Sequence, residues 1–246
     1  MKNAMMLKKA VMAMFVMAML CGVGEAQAKV YLVSVGISDY PGIGNDLSLP
    51  VNDAKTITWL YSKNVELQYC QLLDSEATVA KIVAAMNKVY AKAGANDQVV
   101  FFFSGHGYDG GFVAYDGRLD YSKIQKAMAK SKCKNKMIFA DACFAGSMRG
   151  QRKATTGGTR KKMNVMLFLS SRDNEVSREN PRMSNGYFTS YLQKALRGNA
   201  DANRDRVVTA KELFVFVSEN VAKATNDMQH PVMWGNFSNN MPVMVW

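Results

Sequence analysis

Histidine is scarce in this chain of 246 residues, which holds two. Neither stands beside a second histidine or a cysteine pair, so the sequence around His230 reads as loop or surface and not as a zinc-type ligand set. Long apolar runs are also lacking: the run over 10–21 falls short of the roughly 20 residues a membrane-spanning helix needs. No internal repeat or low-complexity tract occurs, which excludes solenoid and fibrous architectures. Acidic residues are outnumbered, 20 Asp and Glu against 31 Lys and Arg, for a formal charge of +11. The basic residues are scattered and no nucleic-acid motif accompanies them, so they read as a solvated surface, with no nucleic acid as partner.

What is present begins with an export pattern. Lys2, Lys8 and Lys9 precede the apolar run, and Ala26-Gln27-Ala28 closes it with small residues, as in a secretory signal over 1–28 cleaved after Ala28. A secreted or periplasmic chain starting near Lys29 is expected, with no membrane span in the mature form. Removing three lysines and Glu25 takes the formal charge from +11 to +9. Cys21 admits a lipid-anchored reading, but the residues before it lack the small side chain such a site wants. Cys70, Cys133 and Cys143 remain after export, an odd count that leaves at least one thiol unpaired. Whether Cys70 and Cys133 pair stays open, as does the oligomeric state.

Downstream, short β-branched and aromatic runs alternate with helical spacing. Strands are expected over 30–35, 67–73, 98–103, 136–140 and 164–169, and helices over 53–63, 79–91, 122–129 and 187–196. This alternation predicts one α/β domain over 29–246, with a mostly parallel central sheet and helices on both faces. In such sheets ligands bind beyond the carboxyl ends of the strands.

Two strands end on chemistry. Phe101-Phe102-Phe103 leads into Ser104-Gly105-His106-Gly107, and Met137-Ile138-Phe139-Ala140 leads into Asp141-Ala142-Cys143-Phe144-Ala145-Gly146. A thiol needs a base to become a thiolate near pH 7, and neutral imidazole is the usual one. In this order, after Tyr31-Leu32-Val33-Ser34-Val35-Gly36-Ile37-Ser38-Asp39-Tyr40, the two motifs resemble the caspase and metacaspase superfamily of cysteine peptidases from Lys29 to about Trp234. The nucleophile motif of caspases carries Gln two residues before the cysteine and its histidine about 50 residues upstream. Here Asp141 holds that place and the separation is shorter, which favours the metacaspase side.

The resemblance implies the caspase-like fold and a Cys143 nucleophile with His106 as general base and acid. It implies oxyanion donors at the backbone N–H groups of Gly107 and Cys143, and no third residue to orient the imidazole. It also makes Asp141, Ser104 and Asp39 the lining of the pocket for the residue before the cut. A carboxylate there pairs with Arg or Lys and repels Asp, so a peptide or protein substrate with a basic residue at the cut is expected. The competing readings are a loop histidine with a buried thiol, a loop-capping role for Asp141, and a turn role for Asp39.

Two further segments carry expectations. The basic, Gly/Thr-rich stretch 149–163 has little to bury and lies at the junction between the larger and smaller portions of caspase relatives, so self-processing after Arg149, Arg152, Lys153 or Arg160 competes with an uncut loop. Asp201, Asn203, Asp205, Val207, Thr209 and Glu212 fall at the first, third, fifth, seventh, ninth and twelfth places of an EF-hand-like calcium loop. Arg206 stands where glycine normally permits the turn, so a metal-free vestige is the alternative. No cofactor is required by the expected chemistry; calcium is the candidate ion. The whole reading is a secreted cysteine endopeptidase. Its alternatives are a caspase-fold binding or scaffold protein without turnover, and a peptidase with Asp or Asn preference at the cut.

Overall fold

The computed structural model describes residues 28–142, 165–172, 175, 177 and 183–245. The expected signal peptide up to residue 27, Cys143 and the basic linker lie outside the described residues. Among those described, six strands form the central sheet in the order β10-β8-β7-β3-β1-β2. These are β1 (Val30–Gly36), β2 (Leu67–Leu73), β3 (Gln98–Gly105), β7 (Asn135–Ala142), β8 (Val165–Leu169) and β10 (Val232–Gly235). All pairings are parallel except that of β10 with β8. The chain is thus the mostly parallel α/β sheet that the alternation of runs predicts.

The central strands are buried on both faces, which is why they read as continuous apolar runs and not as alternating ones. Along β3, Phe101 and Phe103 point into one core and Phe102 into the other. The first core is covered by α2 (Val79–Tyr90) and α3 (Tyr121–Lys130); the second by α1 (Pro50–Asn64), α4 (Tyr187–Lys194) and α5 (Ala210–Ala224). Local signals set the helix starts. Pro50 occupies the first turn of α1, the Thr78 hydroxyl accepts from Lys81 N–H at α2, and Thr209 with Glu212 closes a capping box on α5.

A small antiparallel sheet lies outside the alternation read above: β4 (Gly107–Tyr108), β5 (Gly111–Ala114) and β6 (Gly117–Asp120). Asp109-Gly110 is the two-residue turn of its first hairpin, with Gly110 at φ 114°. This sheet is tied to the main one by Phe112, whose ring stacks on Phe103 at 4.4 Å and meets Tyr121 edge-on at 5.1 Å. A second antiparallel pair, β9 (Val207–Thr209) with β11 (Pro242–Val245), closes the far side. Because Phe112 is fully buried between the two sheets, Phe112→Ala is expected to cost about 3–5 kcal/mol. Urea unfolding checks this through a lowered midpoint at an unchanged slope.

Candidate functional site

The pairing of β3 with β7 sets Ser104 beside Asp141 and Gly105 beside Ala142. His106 follows directly on β3 as Cys143 follows Ala142 in sequence, and Cys143 itself lies outside the described residues. Both motifs end at the carboxyl edge of the sheet, where open α/β folds bind their ligands.

His106 is half-buried and held from three sides. Its Nε2 lies 2.7 Å from the carbonyl oxygen of Asn45. A carbonyl oxygen only accepts, so Nε2 carries the proton and the Nδ1 lone pair is left for a thiol. The ring packs against Tyr40, centroids 4.7 Å apart. The backbone N–H of His106 donates to Tyr40 Oη at 2.9 Å, and that hydroxyl donates on to the Val113 carbonyl at 3.0 Å. Val113 N–H returns a bond to the His106 carbonyl at 2.8 Å. The tyrosine hydroxyl thus sits inside the β-ladder where a direct bond would run. Gly105 makes room for it: at φ 152°, a Cβ there would stand 2.4 Å from Tyr40 Oη.

The same ladder fixes Gly107. Antiparallel residues alternate between bonded and open positions, and His106 opposite Val113 is a bonded one. Gly107, opposite Phe112, is then at an open position, its N–H directed away from β5 and available to an oxyanion.

Beneath the strand ends lie two buried carboxylates. Asp141 accepts from the Thr189 N–H at 3.1 Å, the Thr189 hydroxyl at 2.9 Å and the Ser177 hydroxyl. The other carboxylate is Asp53, in the first turn of α1, which accepts from Ser104 Oγ at 2.8 Å, Asn185 Nδ2 at 2.8 Å and Gly186 N–H at 3.0 Å. Both therefore draw on the N-terminus of α4, where unpaired N–H groups and the positive end of the helix dipole favour negative charge. Gly186 lets them come close: a Cβ there would lie 2.5 Å from Asp141 Oδ2 and 3.4 Å from Asp53 Oδ2. Burial first, and then the charge of Asp141, push the Asp53 carboxyl well above the usual range, against the pull of its three hydrogen bonds.

The expected pocket residues are thus distributed unevenly. Ser104 and Asp141 are brought together. Asp39 is exposed, and its backbone N–H donates to Asp74 Oδ1 at 3.0 Å; the carboxylate that meets Ser104 is Asp53. One aspartate in a helix first turn is ordinary in sequence, so only the fold singles Asp53 out. Asn45 acts through its backbone, which no side-chain pattern announces.

Outside this centre, His230 Nδ1 lies 2.9 Å from Glu175 Oε1, and its N–H donates to Glu175 Oε2 at 2.8 Å. Burial would raise the Glu175 carboxyl, but these bonds and the Arg172 N–H outweigh it and hold it below the usual range. Next to it the buried Gln229 donates to the Ser170 carbonyl at 2.9 Å. Cys70 and Cys133 are both free. In the 201–212 loop, Arg204 and Arg206 take left-handed φ angles of 63° and 67°. The side-chain oxygens are turned to the loop's own groups: Asp201 to Asp205 N–H and Arg206 N–H, Asp205 to Val207 N–H, and Glu212 to Ala202 N–H and Thr209. Among the described residues no three His, Cys, Asp or Glu side chains gather as a metal site, and no helix is long and apolar enough to cross a membrane.

Asp53→Asn tests the electrostatic strain directly. The amide keeps all three hydrogen bonds, reversing only the one to Ser104. Because the native carboxyl has its pKa raised by folding, the folded state binds the extra proton and stability falls as pH rises from the unfolded value through the folded one. The variant escapes that loss, so its gain in Tm over wild type is expected to be larger at pH 8 than at pH 5. Equal gains at both would contradict the assignment.

Comparison with known proteins agrees with this fold. A solved structure of a protein from Geobacter sulfurreducens superposes with a TM-score of 0.65 at 17% identity, covering 88% of this chain and 99% of that one. No functionally curated protein is similar enough to match. The family model described as caspase domain matches residues 30–241, a span that takes in both strand-end motifs and the buried carboxylates, and the chain belongs to that family of peptidases.

Proposed function

We propose that the protein is a secreted cysteine endopeptidase that cuts after Arg or Lys with Cys143 as nucleophile and His106 as its base. The observation that supports this reading is the β3–β7 register, which sets Ser104 beside Asp141 at the strand ends, each two residues before His106 and Cys143 in sequence. In the proposed cycle, His106 Nδ1 takes the thiol proton and the sulfur adds to the scissile carbonyl. The Gly107 and Cys143 N–H groups stabilise the oxyanion, a contribution worth about a hundred- to thousandfold in rate per donor. The imidazolium then protonates the departing amine, and water, deprotonated by the same imidazole, releases the acyl group from sulfur. The Asn45 carbonyl keeps the Nε2 proton in place throughout, so that Nδ1 is the nitrogen that gains and loses the proton.

The specificity rests on charge. Two carboxylates buried together repel one another, and a guanidinium or ammonium group between them removes the repulsion and supplies matched hydrogen bonds. The scaffold reading without turnover has no need of an imidazole with a free Nδ1, so that feature favours the enzyme. Self-processing in 149–163 fits the same specificity, since that stretch is rich in the residues proposed for the cut.

Peptides ending in Arg, Lys, Asp or Asn before a fluorogenic amide separate the readings. Wild type is expected to prefer Arg and Lys, Cys143→Ala and His106→Ala to lose turnover, and Cys143→Ala to keep its full intact mass where wild type is clipped. Preference for Asp would reject the carboxylate pocket. KM for the Arg peptide is expected to rise as pH falls through the Asp53 pKa, about tenfold per pH unit well below it; a flat profile would count against Asp53.

Calcium at the 201–212 loop is a separate proposal. The donors suit a hard cation in kind, though binding would draw Glu212 out of its cap on Thr209. Calorimetry is expected to show heat with calcium that Asp201→Ala abolishes; no heat in wild type removes the ion from the account.

A further inference from the structure

A recess opens beside His106, on the opposite face of the sheet from the two carboxylates. It is an open cleft of ≈ 620 Å³ lined by Tyr40, Pro41, His106, Val113 and Tyr115, with Asp116 at the rim. The carboxylates belong to the face covered by α1 and α4, whereas this cleft is walled by β5 and the turn after it. Its floor is rigid, because Tyr40 is buried and its hydroxyl is fixed by His106 and Val113. Its outer wall is fixed as well: Tyr115 N–H donates to the Ala77 carbonyl at 3.0 Å, and Asp116 Oδ1 accepts from Val79 N–H at 2.7 Å.

Chemistry says what lies on this side. The imidazole that protonates a leaving amine must reach that nitrogen, so the chain beyond the cut departs over the imidazole. A recess that His106 itself lines, facing away from the pocket for the residue before the cut, is where that departing chain would rest. We propose that this cleft binds the first residues after the scissile bond and selects an apolar side chain there, with Asp116 set against an acidic one. The inference rests on the peptidase reading and adds a second determinant to it: the cut falls between a basic residue and an apolar one. The cleft has the size of a small-ligand pocket, and burying one aliphatic or aromatic side chain is worth about tenfold or more in kcat/KM.

The test profiles cleavage of a mixed peptide library by mass spectrometry, which reads the two sides of the cut separately, beside hydrolysis of arginine ethyl ester, whose leaving group is too small to fill the cleft. Wild type is expected to favour Leu, Phe or Val over Asp or Gly after the cut by about tenfold. Tyr115→Ser, in the turn between β5 and β6 where the ring is half-buried and outside the catalytic machinery, is expected to lose most of that preference while ester turnover stays within about twofold, since the ester leaves the cleft unfilled. Ester turnover with no preference after the cut would overturn the proposal, and a preference that survives Tyr115→Ser would remove it from this cleft. Absence of both ester and peptide turnover in wild type would end it together with the peptidase reading. An apolar preference after the cut supports it whatever residue precedes the cut.

Discussion

The parallel pairing of β3 with β7 is the constraint on which the rest depends. A sheet register is set by whole runs of buried side chains, and a slip of one residue would turn Phe101, Phe102 and Phe103 to the wrong faces. The packing of apolar residues far below the sheet rim therefore decides which polar residues meet at it. Ser104 against Asp141 and Gly105 against Ala142 follow from aromatic side chains that take no part in any reaction. The meeting of polar residues at the strand ends is thus a by-product of core burial.

Polar groups at the rim solve a different problem. Two carboxylates under one sheet edge would each favour the protonated form, and the fold answers with six donors and the amino end of α4. The compensation is incomplete, since Asp53 still holds its proton too tightly. In the proposed function, the cationic group of the substrate relieves that remaining repulsion. Tyr40 shows the same economy at the neighbouring position: one hydroxyl fixes the histidine backbone, completes a ladder and floors the cleft.

Much of this was legible in the sequence. The boundaries of β1 and β2 follow from β-branched and apolar runs, and the aromatic run of β3 ends at its serine and glycine. The strand-end histidine and aspartate stood out because each interrupts an apolar run. What was hidden involved either backbone atoms or distant partners. Asn45 contributes a carbonyl that every residue possesses. Asp53 matters only because Gly186, 133 positions away, brings a helix terminus against it. Asp39 looked equivalent, lying in a turn just after β1, but the chain turns its amide and not its carboxylate into the structure. The small sheet β4–β6 was marked by Asp109-Gly110 alone, since strands of two to four residues are too short to show a period.

In the proposed function, the Cys143 thiol attacks a substrate whose charge the Asp53 and Asp141 carboxylates select. Covalent labelling tests this most directly: an acyloxymethyl ketone carrying arginine, and its counterpart carrying aspartate, are each incubated with the protein and the modified residue is located by peptide mapping. The account predicts one arginine label per chain, on Cys143, and none from the aspartate reagent. Labelling of Cys70 or Cys133 instead, or equal labelling by both reagents, would contradict it.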